Sequence, residues 1–582
     1  MSNILEEIKE NIVKKANKAL GGEQIQVSDL VYPPSAKASG GKPSEINFGD
    51  LSLPCFDIAK SLKKKPNEVV EELKNKIKTV KEIEEVVAVG PYLNFVINKE
   101  YLSKEVLESI QKEKDDFGKN ENLKGKKILV EYAHPNPFKA FHIGHLRNVI
   151  LGESVCKLLE ASGAKVIRAN YQGDVGMHIA KCLWAFQKVD KKDYPETSDE
   201  HVALIGKCYA EGAKVFEENE LIKKEITEIN KKIYTHENKE INKLWELGRK
   251  WSLDKFHEIF TRLGTKFERE YMESEVMEDG VKYIEEALDK GILMRSQGAI
   301  IFDGNKYGLD VRVFMNKEGL PTYEGKELGL AFREFKDFGK IDLCIHNVAV
   351  EQISFFKVTF KVQELLDEKL FKGKQYHNAY EFVGLKTGKM SSRKGDVVLG
   401  EAILDEAKDK IGKIVEEKSE AKDIKNLDEK IGVGAIKYSF LKVSPFKYLA
   451  FDMEESINFS GDSGPYLQYT GARINSIIRK SEIKKFKKAD FFRLTESREH
   501  DLIIMLAKYR ETVEKASKNY DPSEIAKYLF DLAQKFNDYY HSVPVLKSEE
   551  DVKLARLALL NSVNQVLKNG LNILGIEAVA EM

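Results

Sequence analysis

Apolar residues recur at helical spacing from the first turns of the chain. Ile4, Leu5, Ile8, Ile12 and Val13 fall on one face and predict an opening helix. Residues 21–50 are rich in Gly, Pro and Ser and read as loop, with room for short strands. A second helix is expected near Pro66, a residue suited to an early helical position, with Val69, Val70, Leu73 and Ile77 along one side. Residues 86–89 (VVAV) and 92–97 (YLNFVI) read as strands around a Gly90-Pro91 turn. These pieces predict a small α+β unit over residues 1–117, after which Phe117-Gly118-Lys119-Asn120 opens a polar linker.

The texture changes after Lys126. Residues 127–132 (KILVEY) form a short apolar strand, a loop holding Pro135 and Pro137 follows, and a helical pattern runs from about 144 to 161. Residues 166–170 (VIRAN) are the next strand, followed by Gly173-Asp174-Val175-Gly176 and another helix. Strand, loop, helix and strand at this spacing predict a βαβ unit and a parallel sheet. The pattern resumes at residues 342–346 (DLCIH), with a helix through Leu366. The mostly charged helical stretch at 195–295 reads as an insertion between two halves of the sheet. From about 430 the chain reads as helical, and its last amphipathic run passes through Leu554, Leu557, Leu559, Leu560, Val563, Val566 and Leu567. The expected architecture is multidomain α/β. A Rossmann-like parallel-sheet core at 118–430, with a mainly helical insertion at about 190–300, stands between the α+β unit and an all-α unit at 431–582.

Composition narrows the partners. At roughly 100–200 residues per domain, 582 residues suit about three to five domains. Charged residues make up 32% of the chain, yet the formal net charge is −1, so any nucleic-acid surface must be local. Cys55, Cys156, Cys182, Cys208 and Cys344 include no CxxC pair, which argues against a zinc knuckle. Their odd number and wide spacing suit a reducing compartment, and a cytoplasmic location is expected. The opening MSNILEEIKENIVKKA lacks the apolar centre of a signal peptide, and no run approaches the ~20 apolar residues of a membrane span. Lys- and Glu-rich stretches such as 219–243 read as solvated helix faces.

Two segments carry candidate chemistry. His142-Ile143-Gly144-His145 follows a strand and opens a helix, where free backbone N–H groups and the positive dipole end favour anions. Gly144 leaves room for the close approach of a nucleotide, and the two imidazoles can donate to phosphate oxygens. Alone, the motif is equally compatible with two surface histidines at a helix start. Lys389-Met390-Ser391-Ser392-Arg393-Lys394-Gly395 puts three cations and two hydroxyls in one loop, a good polyphosphate clamp that could close over leaving pyrophosphate. Alone, it reads as an ordinary basic loop. Together, in this order and separated by an interrupted βαβ pattern, the segments are far more specific.

The pair resembles the two signatures of class I aminoacyl-tRNA synthetases. Residues 131–148 (EYAHPNPFKAFHIGHLRN) are similar to the arginine-specific members, and the resemblance runs nearly end to end. The N-terminal unit, with Gly49-Asp50-Leu51 and residues 90–95 (GPYLNF), resembles their additional domain touching the outer corner of tRNA. Residues 464–469 (GPYLQY) and 566–576 (VLKNGLNILGI) resemble their helical anticodon-binding domain. The resemblance implies ligation of L-arginine to tRNA(Arg) through an arginyl-adenylate, with tRNA bound before arginine is activated. It implies ATP bound by His142, Gly144, His145, Lys389, Met390, Ser391, Ser392 and Arg393. Glu131 and Asn136 match residues holding the amino acid's α-amino end and backbone, and His142 also faces it. Tyr323, Glu327 and Gln352 match the side-chain pocket. The family usually has aspartate at the Glu327 position; a carboxylate there suits a planar guanidinium. By residue type alone, Glu327 reads as a solvated helix residue.

Two departures stand out. Many arginine enzymes lack the first lysine of the second signature, and Lys139 is then thought to replace it; this chain has both Lys389 and Lys139. Ser392 stands where a second lysine is usual, which leaves Arg393, Lys394 or Lys139 for that charge. The expected catalytic set is His142, His145, Lys389 and Lys139. Mg²⁺ is expected to travel with ATP, with no protein-bound metal, and a monomer is expected. Other class I synthetases, nucleotidylyltransferases and a non-enzymatic tRNA-binding relative are the rival readings. The missing zinc-ligand spacing, the short insertion, the C-terminal helical unit and the intact signatures argue against them.

Overall fold

The computed structural model describes residues 3–22, 24–33, 49–77, 81–386, 398–418, 426–483, 486 and 488–582. Helix α1 (Ile4–Leu20) buries Leu5, Ile8, Ile12 and Ala16, the stripe that its spacing predicts. Strand β1 (Leu51–Pro54), helices α2 (Phe56–Leu62) and α3 (Pro66–Lys76), strands β2 (Ile83–Val89) and β3 (Tyr92–Ile97), and helix α4 (Lys99–Glu113) complete the first unit. Its strands form an antiparallel sheet in the order β1-β3-β2. Helix α3 starts at Pro66, where a fixed φ and a missing N–H cost nothing. Strand β2 begins three residues before the apolar run at 86–89; exposed Glu84 and Glu85 hide this start from a hydrophobicity reading.

The central unit contains β4 (Lys127–Glu131), α5 (Ile143–Ala161), β5 (Lys165–Gln172), α6 (Met177–Phe186), α7 (Ser198–Glu218), α8 (Glu220–Thr235), α9 (Lys239–Arg262), β6 (Arg269–Met272) and α10 (Glu273–Asp289). A small antiparallel sheet of β7 (Met294–Ser296), β8 (Ala299–Phe302) and β9 (Arg312–Met315) follows. Then come α11 (Tyr323–Phe338), β10 (Leu343–His346), α12 (Ile353–Leu366), α13 (Glu368–Phe371) and β11 (Gln375–His377). The core sheet is parallel throughout, in the order β11-β10-β4-β5-β6. Strand β4 is buried from Ile128 to Glu131, as a central parallel strand covered on both faces must be.

One boundary differs from the sequence reading. The stretch read as helical insertion contains β6, the fifth strand of this sheet, followed by α10, which packs on α11. Strand β6 reads REYM: two charges in four residues suit an edge strand and conceal it from an apolar-run criterion.

Neighbours β4 and β10 send the chain into different surroundings. Helix α5 contacts α14 (Gly400–Lys418), α15 (Leu427–Leu441), α18 (Ser497–Asn519) and α20 (Glu550–Ile573), whereas α12 contacts α10 and α11. The divergence opens a crevice at the carboxyl ends of β4 and β10, where ligands bind in open α/β sheets.

Strands β12 (Val383–Leu385) and β13 (Leu449–Phe451) pair in parallel beside this crevice. Strand β13 thus interrupts the stretch read as all helix. The short α16 (Met453–Ser456) packs on α15, and α17 (Gly464–Lys480) and α19 (Ser523–Ser542) join α18 and α20 in the C-terminal bundle. Among the described residues, no helix is long and apolar enough to cross a membrane.

Candidate active site

The segment from β4 to α5 is held in an unusual path. Ala133, His134 and Phe138 have φ of 84°, 55° and 65°, in the left-handed region that side chains disfavour. Buried side chains fix it. Asn148 Oδ1 accepts from the Ala133 N–H at 2.8 Å, Asn170 Oδ1 from His134 at 3.0 Å, and Ser252 Oγ from Phe138 at 3.0 Å. Asn148 also donates to the Asn347 carbonyl at 3.0 Å, tying this loop to the end of β10.

Helix α5 begins with a cap built from two histidines. His142 Nδ1 accepts from the N–H groups of Gly144 and His145, at 3.1 and 3.4 Å, and His145 Nδ1 accepts from the His142 N–H at 3.2 Å. The rings stack with centroids 3.7 Å apart. This arrangement corrects one expectation. The first-turn amides are not free for an anion, because Gly144 and His145 donate to His142 and Ile143 donates to the Val398 carbonyl. The rings carry the donor function instead. With both Nδ1 atoms accepting, a neutral ring carries its proton on Nε2. Burial, with Lys139 adding to it, lowers the His142 pKa; burial and then His142 push His145 well below the ordinary value. Both rings are therefore neutral Nε2–H donors near pH 7.

A cavity of about 820 Å³ lies over this helix start. Glu131, Asn136, His142, Gly144, His145, Tyr323, Glu327 and Gln352 all line it. Lys139 is exposed and does not line it, although its charge is felt at His142 and His145. Lys389, Met390, Ser391, Ser392, Arg393 and Lys394 lie outside the described residues. The flanks of their segment are placed: β12 on one side, and on the other Val398 and Gly400, hydrogen-bonded to Ile143 and Phe141. Strand β12 contacts α5, and its Val383 shares the cavity lining with His142, so both flanks adjoin the first motif.

The cavity floor is acidic. Glu327 is 3% exposed, not a solvated helix residue, because α11 turns it toward the sheet. Burial raises its pKa, with His346 opposing and Glu131 reinforcing the rise. Burial likewise works against the charge of Glu131, yet His346 beside it holds that carboxyl below its usual value. Asn136 Oδ1 accepts from the Gly173 N–H at 2.8 Å, which aims its amide. A Cβ on Gly173 would lie 3.0 Å from Asn136 Oδ1 and 3.1 Å from Glu273 Oε1, so glycine is what lets these side chains converge. Tyr323, 69% exposed, stands at the mouth.

Several residues of the site escaped the sequence reading. Glu273 lines the cavity, buried and paired with Lys326 at 2.5 Å. His346 and Glu334 lie fully buried behind Glu131. The available signal was register: in a parallel sheet, the last residues of two adjacent strands, Glu131 and His346, stand side by side. Among the described residues, no group of three or more His, Cys, Asp or Glu side chains is arranged to hold a metal ion. The cavity therefore offers buried carboxylates for an organic cation, next to neutral N–H donors for an anion.

Comparison with known proteins assigns the chain to a family. The family model described as tRNA synthetases class I (R), catalytic domain, matches residues 106–453. A DALR anticodon binding domain matches 467–582, and an arginyl tRNA synthetase N terminal domain matches 6–97. An arginine–tRNA ligase of Treponema denticola is 33% identical over 585 residues, covering 98% of each chain. One from Borrelia garinii subsp. bavariensis is 34% identical over 561 residues, covering 93% of this chain and 94% of its own. The solved structure of Thermus thermophilus arginyl-tRNA synthetase matches over 100% of both chains, with a TM-score of 0.79 and 25% identity.

Proposed function

The chain belongs to the arginyl-tRNA synthetase family of class I enzymes, and from that premise we propose how its cavity performs the reaction. The protein is an arginine–tRNA ligase of translation that uses ATP. In the proposed mechanism the arginine carboxylate attacks the α-phosphate of ATP and pyrophosphate leaves. A hydroxyl of the terminal ribose of tRNA(Arg) then attacks the adenylate carbonyl, and AMP leaves. No side chain forms a covalent intermediate; positioning and charge stabilisation do the catalysis.

Glu327 receives the guanidinium, with Tyr323 and Gln352 beside it. Glu131 and Asn136 hold the α-amino end and backbone, and His142 faces the substrate from the helix start. The Nε2–H groups of His142 and His145 donate to phosphate oxygens as charge develops, and Gly144 admits the nucleotide. Lys389, with Met390, Ser391, Ser392 and Arg393, closes over pyrophosphate, and exposed Lys139 supplies further positive charge. Support for this last role is that both flanks of the lysine segment adjoin the first motif. Mg²⁺ arrives as MgATP. Residues 1–117 contact the outer corner of tRNA, 118–430 form the catalytic unit with its insertion, and 431–582 bind the anticodon arm. The enzyme acts as a cytoplasmic monomer.

The observation that carries this reading is the shared cavity: eight residues from three separated stretches of sequence converge on it. The test is ATP–pyrophosphate exchange with each amino acid, with and without tRNA. Exchange with arginine alone, and only with tRNA present, is the expected result. Exchange with another amino acid and never with arginine would overturn the reading.

A further inference from the structure

The carboxylates under the cavity outnumber the cations available to them. Glu131 ends β4, and Glu327 and Glu334 stand two turns apart on α11; all three are buried. Their shared neighbour is His346 at the end of β10, fully buried, with the rings of Phe356 and Phe360 at 5.0 and 5.1 Å. Its Nδ1 lies 3.3 Å from Glu131 Oε1 and 4.0 Å from Glu327 Oε1. Its Nε2 lies 2.9 Å from Gln375 Oε1 on β11. The Cys344 Sγ also stands 3.5 Å from Nε2. With Nδ1 on the Glu131 carboxylate and Nε2 on an amide oxygen, the doubly protonated imidazolium donates at both nitrogens. Burial works against its charge, yet Cys344 and Glu131 beside it hold its pKa well above the ordinary value. The Cys344 thiol, 3.6 Å from Glu334 Oε2, donates toward that carboxyl.

The other charged groups around the cluster are already accounted for. His134, from the loop after β4, lies 4.0 Å from Glu131 and is kept neutral by burial, as is His377 on β11. Lys326 and Glu273 neutralise each other, and so do Arg312 and Glu324. Tyr171, half-buried on β5 and lining the cavity, stays a neutral phenol because burial pushes its hydroxyl well above the ordinary value. One imidazolium therefore serves three buried carboxyl groups, two of them within 4.0 Å and the third, Glu334, on the far side of Cys344. Buried like charges cannot all ionise, so the free pocket holds protons. Glu131, nearest the imidazolium, is the ionised member. Glu334, enclosed and next to Glu131, keeps its proton, and burial pushes Glu327 up to about 8.

We infer that His346 is a positioning residue for the arginine pocket: its fixed imidazolium neutralises Glu131 alone, so Glu327 ionises when a guanidinium arrives, and arginine binding expels one proton. The inference rests on the reading of Glu327 as arginine's carboxylate partner. The balance is simple. Neutral Glu327 and cationic arginine become the Glu327 carboxylate–guanidinium pair, and one proton leaves through the cavity to water. His346 acts through Glu131 and Glu327 and does not touch substrate.

The test is the arginine KM of the full-length enzyme as a function of pH, at saturating ATP and tRNA. It is paired with calorimetry of arginine binding in the presence of tRNA, in two buffers of different ionisation heat. Glu327 must be ionised to hold arginine, so binding weakens as pH falls through its free-state pKa. In the wild type, KM falls about tenfold per pH unit from pH 6 upward and levels near pH 8, and calorimetry at pH 7 finds close to one proton released. H346Q keeps a donor beside Glu131 but removes the charge. Its levelling point moves to higher pH, with KM raised at neutral pH and kcat little changed. E334Q preserves the shape of the protonated acid and leaves the levelling point in place. An unchanged levelling point in H346Q, or no proton release by the wild type at pH 7, overturns the inference; the calorimetric result decides even if H346Q fails to fold. E327Q separates this from failure of the underlying reading. An unaltered arginine KM in E327Q would remove Glu327 as the partner, whereas a raised KM without pH slope keeps that assignment whatever H346Q shows.

Discussion

His142 and His145 each do two jobs with one ring. Nδ1 closes the start of α5, and Nε2–H points a donor outward. The jobs can be separated. H142N retains a capping side chain but loses the outward donor, so its thermal stability should stay near wild type while adenylate formation falls. H142A should also lose the cap, about 0.5–2 kcal/mol, seen as a lower Tm. H145A should reduce adenylate formation about 10²–10³-fold and spare tRNA binding. Retained pyrophosphate exchange in H142N and H145A would remove both rings from the chemistry. At this scale much of the site was legible. The paired histidines and the glycine between them are contiguous, so their chemistry shows in one dimension. Glu327 was legible only through family resemblance. With Glu334 it looks like the charged face of a surface helix, and the cation that makes its burial tolerable, His346, comes from a distant strand. That the first-turn amides would be capped by the histidines themselves was also invisible, because a ring accepting from the backbone leaves no sequence signature.

The decisive elements are the ends of β4 and β10 and the loop between β4 and α5. That loop keeps three side-chain-bearing residues at positive φ, and its backbone donors end on buried Asn148, Asn170 and Ser252. Removing one acceptor strands a buried N–H. N148A should therefore cost about 1–3 kcal/mol in urea unfolding, and it should raise the arginine KM because Asn136 and His142 lie on the released loop. Unchanged stability and KM would mean that the loop holds its path without Asn148. The long elements followed from the pattern: α1, α3, β4, α5 and β5 arise where the apolar period demands. Strands β6 and β13 did not. They are short and bordered by charge, and what makes them strands is pairing with β5 and β12. Sheet membership of that kind is a long-range property, so β6 was absorbed into the reading of a helical insertion.

Across the whole molecule, the first and last units clasp each other directly, α4 against α18 and α20. Arg510 of α18 reaches both carboxylate oxygens of Glu113 on α4 at 2.6 Å and covers the ring of Phe117, with its guanidinium carbon 4.7 Å from the centroid. Lys9 and Tyr32 bond Glu511 at 2.8 and 2.7 Å, and His500 meets Asp50 at 3.1 Å. R510A leaves Glu113 mostly buried without its partner and should cost about 3–5 kcal/mol. It should also expose the linker after α4 to limited proteolysis and raise the KM for tRNA more than that for arginine. Equal protease resistance would show that apolar packing alone holds the clasp. From sequence the three-unit order was readable; the clasp was not, since its ion pairs join residues hundreds of positions apart. The central claim is that this clasped frame presents a buried carboxylate, Glu327, to arginine's side chain. A crystal structure of the full chain with tRNA and arginine bound tests it most directly. Two of the three guanidinium nitrogens should lie within about 2.7–2.9 Å of the Glu327 oxygens, with the α-amino group toward Glu131 and Asn136. A guanidinium seated on Glu273 or Glu351, with Glu327 untouched, would contradict it.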